Sequence, residues 1–258
     1  MNTFLDELNP TQLEAVKHID GPLMVIAGAG SGKTRVLTYR IAHLLNNGVD
    51  SFNILALTFT NKASKEMKGR IGSLIDGSEA NNLWMGTFHS VFSKILRFEA
   101  EKINYPKNFT IYDSADSKNL IKALVKEMNL DKDVYKPGVV LGRISSLKNG
   151  LVSVNGYKSS AVLQSEDSSR KMTEFSQLYA NYQKRLFSSG SMDFDDLLFN
   201  TYTLLRDFPE VLNKYQNKFK YILVDEYQDT NHVQYMIIKR LAAMFENICV
   251  VGDDAQSI

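Results

Sequence analysis

The chain is poor in the residues that mark secreted, membrane-spanning or disulfide-bonded proteins. Its 258 residues include one cysteine, Cys249, which excludes an internal disulfide and makes a reducing cytoplasm the expected setting. The apolar runs stay well short of the ~18 residues of a membrane span, and the first residues are acidic rather than signal-like. The formal net charge is only +1, so the chain as a whole does not indicate a nucleic-acid partner. We expect a cytoplasmic globular protein with no membrane contact.

Five short apolar runs predict the strands of a parallel sheet that is buried on both faces. They are residues 23–27, 54–58, 83–87, 221–225 and 248–252. Helical patterns lie between several of these runs, which favours a doubly wound α/β fold with ligands at the carboxyl ends of the strands.

A long helical segment, residues 113–192, separates the third run from the fourth. Its apolar side chains recur at helical spacing, so we predict an inserted all-helical subdomain, with residues 1–112 and 193–258 forming the main domain. Residues 164–169 read as an exposed turn within it. The insertion holds twelve Lys and Arg against eight Asp and Glu. This basic excess fits either a phosphate-backbone contact surface or an ordinary solvated helical surface.

Residues 27–34 match the phosphate-binding loop pattern, read from Gly28 to Thr34. A strand leads into the loop and a helix leads out of it, and amides at a helix N-terminus attract anions. Lys33 is then placed to reach the β- and γ-phosphates, and the Thr34 hydroxyl to bind Mg²⁺. The predicted triphosphate contacts are Ala27, Gly28, Ala29, Gly30, Ser31, Gly32, Lys33 and Thr34.

Two adjacent carboxylates, Asp225 and Glu226, end the fourth apolar run in the manner of a Walker B strand. Asp225 is predicted to hold Mg²⁺ together with Thr34, and Glu226 to orient or deprotonate the attacking water. After the fifth run, Gln256 is placed to sense the γ-phosphate, with a surface turn as the alternative interpretation.

The residues alone leave two interpretations open for Gln12 and for the polar and aromatic clusters that follow two of the strands. Gln12 follows Pro10 at a helix start, and its amide fits either that local role or recognition of an adenine edge. Polar and aromatic clusters at residues 57–62 and 86–90 fit either stacking of single-stranded nucleic acid or helix capping with phenylalanine in the core.

The ordered set of motifs resembles the N-terminal part of the UvrD/Rep/PcrA-type superfamily 1 DNA helicases. The resemblance covers essentially the whole chain, and the Asp-Glu-Tyr-Gln-Asp run that begins at Asp225 is highly specific. The matching motifs are residues 8–12, 27–35, 57–62, 86–89, 192–198, 224–231 and 251–258.

This resemblance implies a monomeric ATP-dependent 3′–5′ DNA helicase of repair and replication, with ATP and Mg²⁺ as cofactors and single-stranded DNA and strand junctions as partners. It identifies the main domain as a P-loop, RecA-like domain (1A) and residues 113–192 as subdomain 1B. It makes Gln12 an adenine contact and Arg35 a nucleotide contact. The implied single-stranded DNA track consists of Phe59, Asn61, Thr87, Phe88 and His89.

The family pattern continues beyond the residues present here. Its last motif usually goes on to a tyrosine and an arginine, and Ala255 stands where an aspartate is frequent. A second RecA-like domain supplies arginines to the transition state, and such an arginine is worth ~10³–10⁵ in rate. We therefore expect a fragment that binds ATP and single-stranded DNA but does not unwind DNA alone. Alternatives are the helicase subunit of a helicase–nuclease, or an interaction module that binds ATP without hydrolysing it.

Overall fold

The computed structural model describes residues 4–28, 30–75 and 79–253. The strands are β1 Leu23–Ile26, β2 Ile54–Thr58, β3 Trp84–Thr87, β4 Thr110–Tyr112, β5 Ser191–Asp193, β6 Tyr221–Val224 and β7 Ile248–Gly252. The helices are α1 Pro10–Lys17, α2 Lys33–Asn46, α3 Asn61–Leu74, α4 Phe88–Glu99, α5 Ser114–Glu127, α6 Pro137–Asn149, α7 Val154–Ser159, α8 Ala161–Ser169, α9 Phe175–Ser188, α10 Phe194–Asp207, α11 Pro209–Lys218 and α12 His232–Ala242. Within these described ranges, no helix is long and apolar enough to cross a lipid bilayer.

The chain divides into two compact units. The first consists of residues 1–91 and 205–258, and the second of residues 92–204. The second unit is wider than the predicted insertion, because its boundaries fall inside α4 and α10 rather than at residues 113 and 192. Its correspondence to a 1B subdomain stays a prediction.

The first unit is built on a parallel sheet whose described strands run in the order β1-β7-β6-β2-β3. Each strand lies within one residue of a predicted apolar run, so the predicted α/β fold is confirmed. β2 is buried along its whole length, as expected of a strand covered on both faces. The predicted burial on both faces is wrong for β1, where Met24 and Ile26 are 59% and 60% exposed because the described residues leave one face of this strand uncovered. The parallel register aligns Ile26 with Gly252 and Thr58 with Thr87, which brings the carboxyl ends of the strands to one edge.

Short polar side chains start several helices of the first unit. Asn9 and Gln12 form a reciprocal capping box at the start of α1, where Pro10 occupies the first helical position. The Thr60 hydroxyl caps α3, and Asn231 caps α12. Capping therefore explains part of the polar sequence that follows the strands.

The second unit has a core of its own, formed by the inward faces of α5, α6, α7 and α9. Ile121, Ile144 and Tyr182 are fully buried in it. The rings of Tyr157 and Phe175 meet edge to face with centroids 5.3 Å apart. This packing confirms the amphipathic helices that the spacing predicts.

A buried charge cluster lies in the second unit. Lys148, 1% exposed, contacts Asp193 at 2.7 Å and Asp196 at 2.8 Å. The two carboxylates raise the pKa of Lys148 although burial alone would lower it. Burial and the neighbouring Asp193 charge raise the pKa of Asp196 to about 6, against the opposing effect of Lys148. Lys148 is therefore the cation that allows both carboxylates to be buried.

Two predictions for the second unit are corrected. Residues 164–169 are not an exposed turn but the end of α8, in which Asp167 is fully buried and accepts hydrogen bonds from Tyr157 (2.8 Å) and Arg143 (3.1 Å). The predicted insertion, residues 113–192, is also not all-helical, because its last two residues belong to β5, which pairs in parallel with β4 just before the insertion. Three-residue strands are too short to show a period in sequence.

We predict that Lys148→Met lowers the free energy of unfolding by about 3–5 kcal/mol at pH 8, because two buried carboxylates lose their cation. The loss should be smaller at pH 5, because Lys148 no longer lowers the pKa of Asp193 and Asp196 in the variant, so that burial raises both and the carboxylates can take up protons. Urea unfolding followed by circular dichroism measures both values. Lys158→Met, which removes an exposed lysine of α7, is the control and should change stability by less than about 0.5 kcal/mol. An equal loss at both pH values would contradict the role given to Lys148.

Candidate functional site

The phosphate-binding loop connects the end of β1 to the start of α2. Its turn closes on the Gly28 carbonyl, which accepts hydrogen bonds from the Ser31 amide (3.3 Å) and the Ser31 hydroxyl (2.6 Å). Gly30 and Gly32 have φ of +77° and +89°, a backbone conformation that favours glycine. Gly32 caps α2 without a side-chain hydrogen bond, so the first amides of α2 suit an anion. The predicted contact Ala29 lies outside the described residues.

Lys33 of this loop forms a buried ion pair with Asp253. The Nζ atom lies 3.1 Å from Oδ2, and the two side chains are 9% and 2% exposed. Asp253 reaches the loop because β7 pairs with β1 and the Ala27 amide donates to the Gly252 carbonyl at 3.1 Å. The sequence did not identify Asp253 as a partner, since only the strand order brings residues 33 and 253 together.

Thr34 and Asp225, the predicted metal ligands, lie side by side. The Thr34 hydroxyl donates to Asp225 Oδ2 at 3.4 Å, a long hydrogen bond. Burial, reinforced by the charge of Glu226, raises the pKa of Asp225. A cation bound next to this carboxylate would offset both effects.

Glu226 directly follows Asp225 in a left-handed conformation, with φ 48° and ψ 47°. Its amide donates to Asp225 Oδ1 at 3.1 Å, and its carboxylate accepts a hydrogen bond from Gln228 Nε2 at 2.7 Å. The extended chain of β6 therefore ends at Glu226, where the backbone turns. Gln256, which is also predicted to be catalytic, lies outside the described residues.

Gln12 borders the loop on the side of α1. Its Nε2 atom donates to the Ser31 carbonyl at 3.1 Å, while its Oε1 atom closes the capping box with the Asn9 amide at 3.3 Å. A cavity of about 450 Å³ beside it is lined by α1, β1, Ser31 and Lys33, a volume that suits a small-molecule ligand. The helix-start interpretation of Gln12 is confirmed, and the adenine contact stays a prediction.

A buried arginine that the motifs did not indicate, Arg40 of α2, fixes the helix that carries Gln12. Arg40 is 2% exposed. Its guanidinium donates to the carbonyls of Ala15 (2.9 Å), His18 and Ile19 (3.0 Å) at the C-terminal end of α1. Cationic side chains commonly satisfy the last carbonyls of a helix in this way.

Arg35, which like Gln12 is a predicted nucleotide contact, forms an ion pair with Glu7 near the start of the chain. Its Nη2 atom lies 2.9 Å from Glu7 Oε2, and its guanidinium lies 5.0 Å from the centroid of the Tyr39 ring. The Tyr39 hydroxyl donates to the same Glu7 carboxylate. Arg35 thus lies beside the loop with an acidic partner, and its contact with nucleotide stays a prediction.

The donor set at this edge fits ATP with Mg²⁺. Lys33 supplies a cation, and Thr34 and Asp225 supply the hydroxyl and carboxylate oxygens that Mg²⁺ binds together with phosphate oxygens and water. Among the described residues, no cluster of three or more His, Cys, Asp or Glu side chains could hold a metal by itself.

The predicted DNA track lies at the carboxyl ends of β2 and β3. Phe59 follows β2 and is partly exposed, and its ring lies 5.4 Å from that of Phe88. Asn61 is exposed at the start of α3, and Thr87 caps the next helix by accepting from the Ser90 amide at 3.2 Å. The parallel register brings these residues together. His89 is partly exposed beside them in the first turn of α4.

Phe88 is only 1% exposed, so in this structure it offers no ring face to a base. Its ring instead supports that of Phe59, which agrees with the alternative of phenylalanine in the core. The single-strand contact of Phe59, Asn61, Thr87 and His89 stays a prediction.

Comparison with known proteins gives a consistent result. The family model described as the UvrD/REP helicase N-terminal domain matches residues 8–258. The chain is 49% identical to an "ATP-dependent DNA helicase PcrA" of Staphylococcus aureus, over all of this chain and 34% of that protein. Proteins of the same name from Bacillus subtilis and Staphylococcus epidermidis are 49% and 48% identical over all of this chain, and 34% and 35% of their own lengths. The chain thus spans about a third of the length of these relatives.

The parallel sheet, the glycine-rich loop and the paired carboxylates define an α/β domain of the P-loop, RecA-like class. Within this class, the chain belongs to the UvrD/REP helicase N-terminal domain family. The resemblance read from the motifs is therefore confirmed.

We predict that Gly32→Ala destabilises the chain more than Gly48→Ala does. Both glycines have a left-handed backbone, so each alanine should cost about 1–2 kcal/mol. Only at Gly32 would the added Cβ atom meet Gln12 Nε2, at 2.8 Å, whereas at Gly48 it meets nothing within 4 Å. Urea unfolding of the two variants measures the difference. Equal losses would contradict the view that the Gln12 amide is held in place at the loop by its contacts with Ser31 and Asn9.

Proposed function

We propose that this chain is the ATP- and single-strand-binding motor portion of an ATP-dependent DNA helicase that moves 3′ to 5′ along DNA. Support for the class of activity comes from the family membership and from the name shared by the relatives. Support for the site comes from this chain's own residues at the carboxyl edge of its sheet.

One observation carries the proposal. Lys33 and Thr34 of the loop are each joined to a carboxylate from a different strand, at 3.1 Å to Asp253 and 3.4 Å to Asp225. A cation, a hydroxyl and an ionisable carboxylate at a helix N-terminus form the set that phosphate and Mg²⁺ require. A glycine-rich connection with only a structural role has no need of a buried charge pair, which is costly to bury.

Each residue of the site then has a distinct role. Bound ATP with Mg²⁺ supplies the phosphoanhydride to be cleaved and a cation that neutralises its charge. Lys33 exchanges Asp253 for phosphate, while Thr34 and Asp225 hold the cation. Glu226, which directly follows Asp225 in a left-handed conformation, takes the proton of the attacking water. Gln256 is proposed to contact the γ-phosphate or the water.

The adenine side of the site is proposed to use Gln12 and Arg35. The Gln12 amide already lies at the loop, where its Nε2 atom contacts the Ser31 carbonyl at 3.1 Å. One donor and one acceptor on the same side chain can match an adenine edge. The Arg35 guanidinium is planar and polar, which suits contact with a base or a phosphate.

Single-stranded DNA is proposed to cross the carboxyl ends of β2 and β3. Phe59 offers a partly exposed ring that Phe88 supports from below, and bases stack on such rings without sequence preference. Asn61, Thr87 and His89 add hydrogen-bonding groups at the same edge. Because the relatives named helicases are about three times as long as this chain, experiments on the 258 residues measure binding most directly.

We predict that Lys33→Met weakens the binding of ATP·Mg²⁺ by about 10- to 100-fold, since a charged hydrogen-bonding contact is worth about 1.5–3 kcal/mol. Titration with a fluorescent ATP analogue measures the affinity. Thr34→Ala leaves the ion pair between Lys33 and Asp253 in place and removes a predicted Mg²⁺ ligand. In this variant, the addition of Mg²⁺ should increase the affinity for ATP less than it does in the parent. Lys220→Met removes an exposed lysine just before β6 and serves as the control. Equal affinities for Lys33→Met and the parent would contradict the phosphate assignment.

We predict that Phe59→Ala weakens single-stranded DNA binding by about tenfold, because a stacked base is worth about 1–3 kcal/mol. Fluorescence anisotropy of a labelled oligonucleotide over a salt series measures both affinity and salt slope. Phe52→Ala is the matched control, since Phe52 is 49% exposed just before the amino end of the same strand. The track is excluded if both variants bind as the parent does, or if the parent shows no preference for single strands.

A further inference from the structure

Gln228 bridges two parts of the candidate site that belong to different strands. It lies in the short turn Tyr227–Asp229 that follows β6. Its Nε2 atom donates to Glu226 Oε2 at 2.7 Å, and its Oε1 atom accepts from the Asp253 amide at 3.1 Å. The two partners fix the orientation of the Gln228 amide, because an amide N–H can only donate and an ionised carboxylate can only accept.

The Gln228 bridge completes a ring of polar contacts around the site. Neighbouring members are 2.7–3.4 Å apart, and the ring begins and ends on adjacent residues of the phosphate loop. In order, its members are Lys33, Asp253, Gln228, Glu226, Asp225 and Thr34. Gln228 is the member that connects the end of β7 to the residues after β6.

Glu226 needs such support because its backbone is in an unfavourable conformation. A left-handed backbone is unfavourable for a residue other than glycine and persists where its surroundings determine it. Among the described residues, three hydrogen bonds hold it: from its amide to Asp225 Oδ1 (3.1 Å), from the Asp229 amide to its carbonyl (3.0 Å) and from Gln228 to its carboxylate (2.7 Å). The first two act on the backbone of Glu226, and the contact from Gln228 acts on the carboxylate that is proposed to act as the base.

The packing around Gln228 leaves little freedom at its other end. A Cβ atom added to Gly252 would lie 3.0 Å from Gln228 Oε1, so the glycine allows the close approach of the amide to β7. Lys33 contacts the carboxylate of Asp253, and Gln228 contacts the backbone amide of the same residue. A phosphate that draws Lys33 away would therefore change the contacts of the residue to which Gln228 is hydrogen-bonded.

We infer that Gln228 is a positioning residue, which holds the Glu226 carboxylate in place and couples it to the end of β7, where Asp253 binds Lys33. This inference rests on the proposed role of Glu226 as the base in ATP cleavage. A displacement of about 1 Å in a reacting group can cost about 10²-fold in rate, so loss of the bridge should slow cleavage without weakening nucleotide binding.

The first test measures the bridge without nucleotide, by amide hydrogen exchange in nitrogen-15 NMR spectra of the 258-residue chain. Gln228→Met removes both contacts and should speed exchange of the Asp253 amide at least about tenfold, since its acceptor is lost. Gln228→Glu keeps an acceptor and should preserve that protection while shifting the Glu226 resonance. Gln177→Met, on the exposed face of α9, should change neither. An Asp253 amide that exchanges equally in Gln228→Met and the parent overturns the inference.

The second test separates affinity from reaction rate, with the chain in excess over ATP·Mg²⁺ in single turnovers followed for hours. Slow cleavage is measurable in this way, since a rate on the order of 10⁻⁴ s⁻¹, such as the intrinsic rate of a small GTPase, is complete within hours. Gln228→Met should bind ATP·Mg²⁺ within about twofold of the parent and cleave it at least about tenfold more slowly.

Three outcomes of the second test contradict different statements. A Gln228→Met rate equal to that of the parent overturns the positioning role. A parent rate no faster than that of Glu226→Gln overturns the role of Glu226 as the base, and with it the inference. A parent that retains the protected Asp253 amide but binds no ATP·Mg²⁺ overturns the proposed function while leaving the bridge itself intact.

Discussion

The candidate site depends on the buried ion pair between Lys33 and Asp253. With side chains only 9% and 2% exposed, either charge alone would cost several kcal/mol to bury. The parallel pairing of β1 with β7 places the two side chains together, since Ile26 lies opposite Gly252. The loop therefore presents a dehydrated cation that must always have an anionic partner, and phosphate is an anion for which the first amides of α2 are suited.

The other polar residues of the site extend from this pair along the carboxyl edge of the sheet. Thr34 meets Asp225 from β6, and Glu226 meets Gln228, which returns to Asp253. The strand order β1-β7-β6-β2-β3 places Phe59 further along the same edge. Because these groups share one rigid sheet, a change in what Lys33 contacts can reach Glu226 through hydrogen bonds alone. That arrangement suits a protein in which nucleotide state must be communicated.

Much of the fold was predictable because its physical signals are local. Each buried strand of the main sheet is a continuous apolar run, and the loop Gly28–Thr34 carries its glycines and lysine in one segment. The contacts of Asp253 and Gln228 were not predicted, because they depend on the strand order. Asp253 pairs with Lys33, which is 220 residues away in sequence, and Gln228 contacts the Asp253 amide across two neighbouring strand ends. The helix α8 was missed because its Asp167 is polar yet fully buried by Tyr157 and Arg143. Phe88 was assigned to the DNA track from the family resemblance, but its burial could not be read from the sequence. Burial decides whether a ring can stack on a base, and Phe88 is 1% exposed.

The most direct test of the account is a crystal structure of the chain with Mg²⁺ and a non-hydrolysable ATP analogue. The account predicts that Lys33 Nζ leaves Asp253 for the β- and γ-phosphates, and that Thr34 and Asp225 lie next to Mg²⁺, directly or through water. The adenine of the ATP analogue is predicted to lie beside Gln12. A nucleotide bound away from the loop, or a Lys33 that keeps its 3.1 Å contact with Asp253 in the presence of nucleotide, would contradict the central claim.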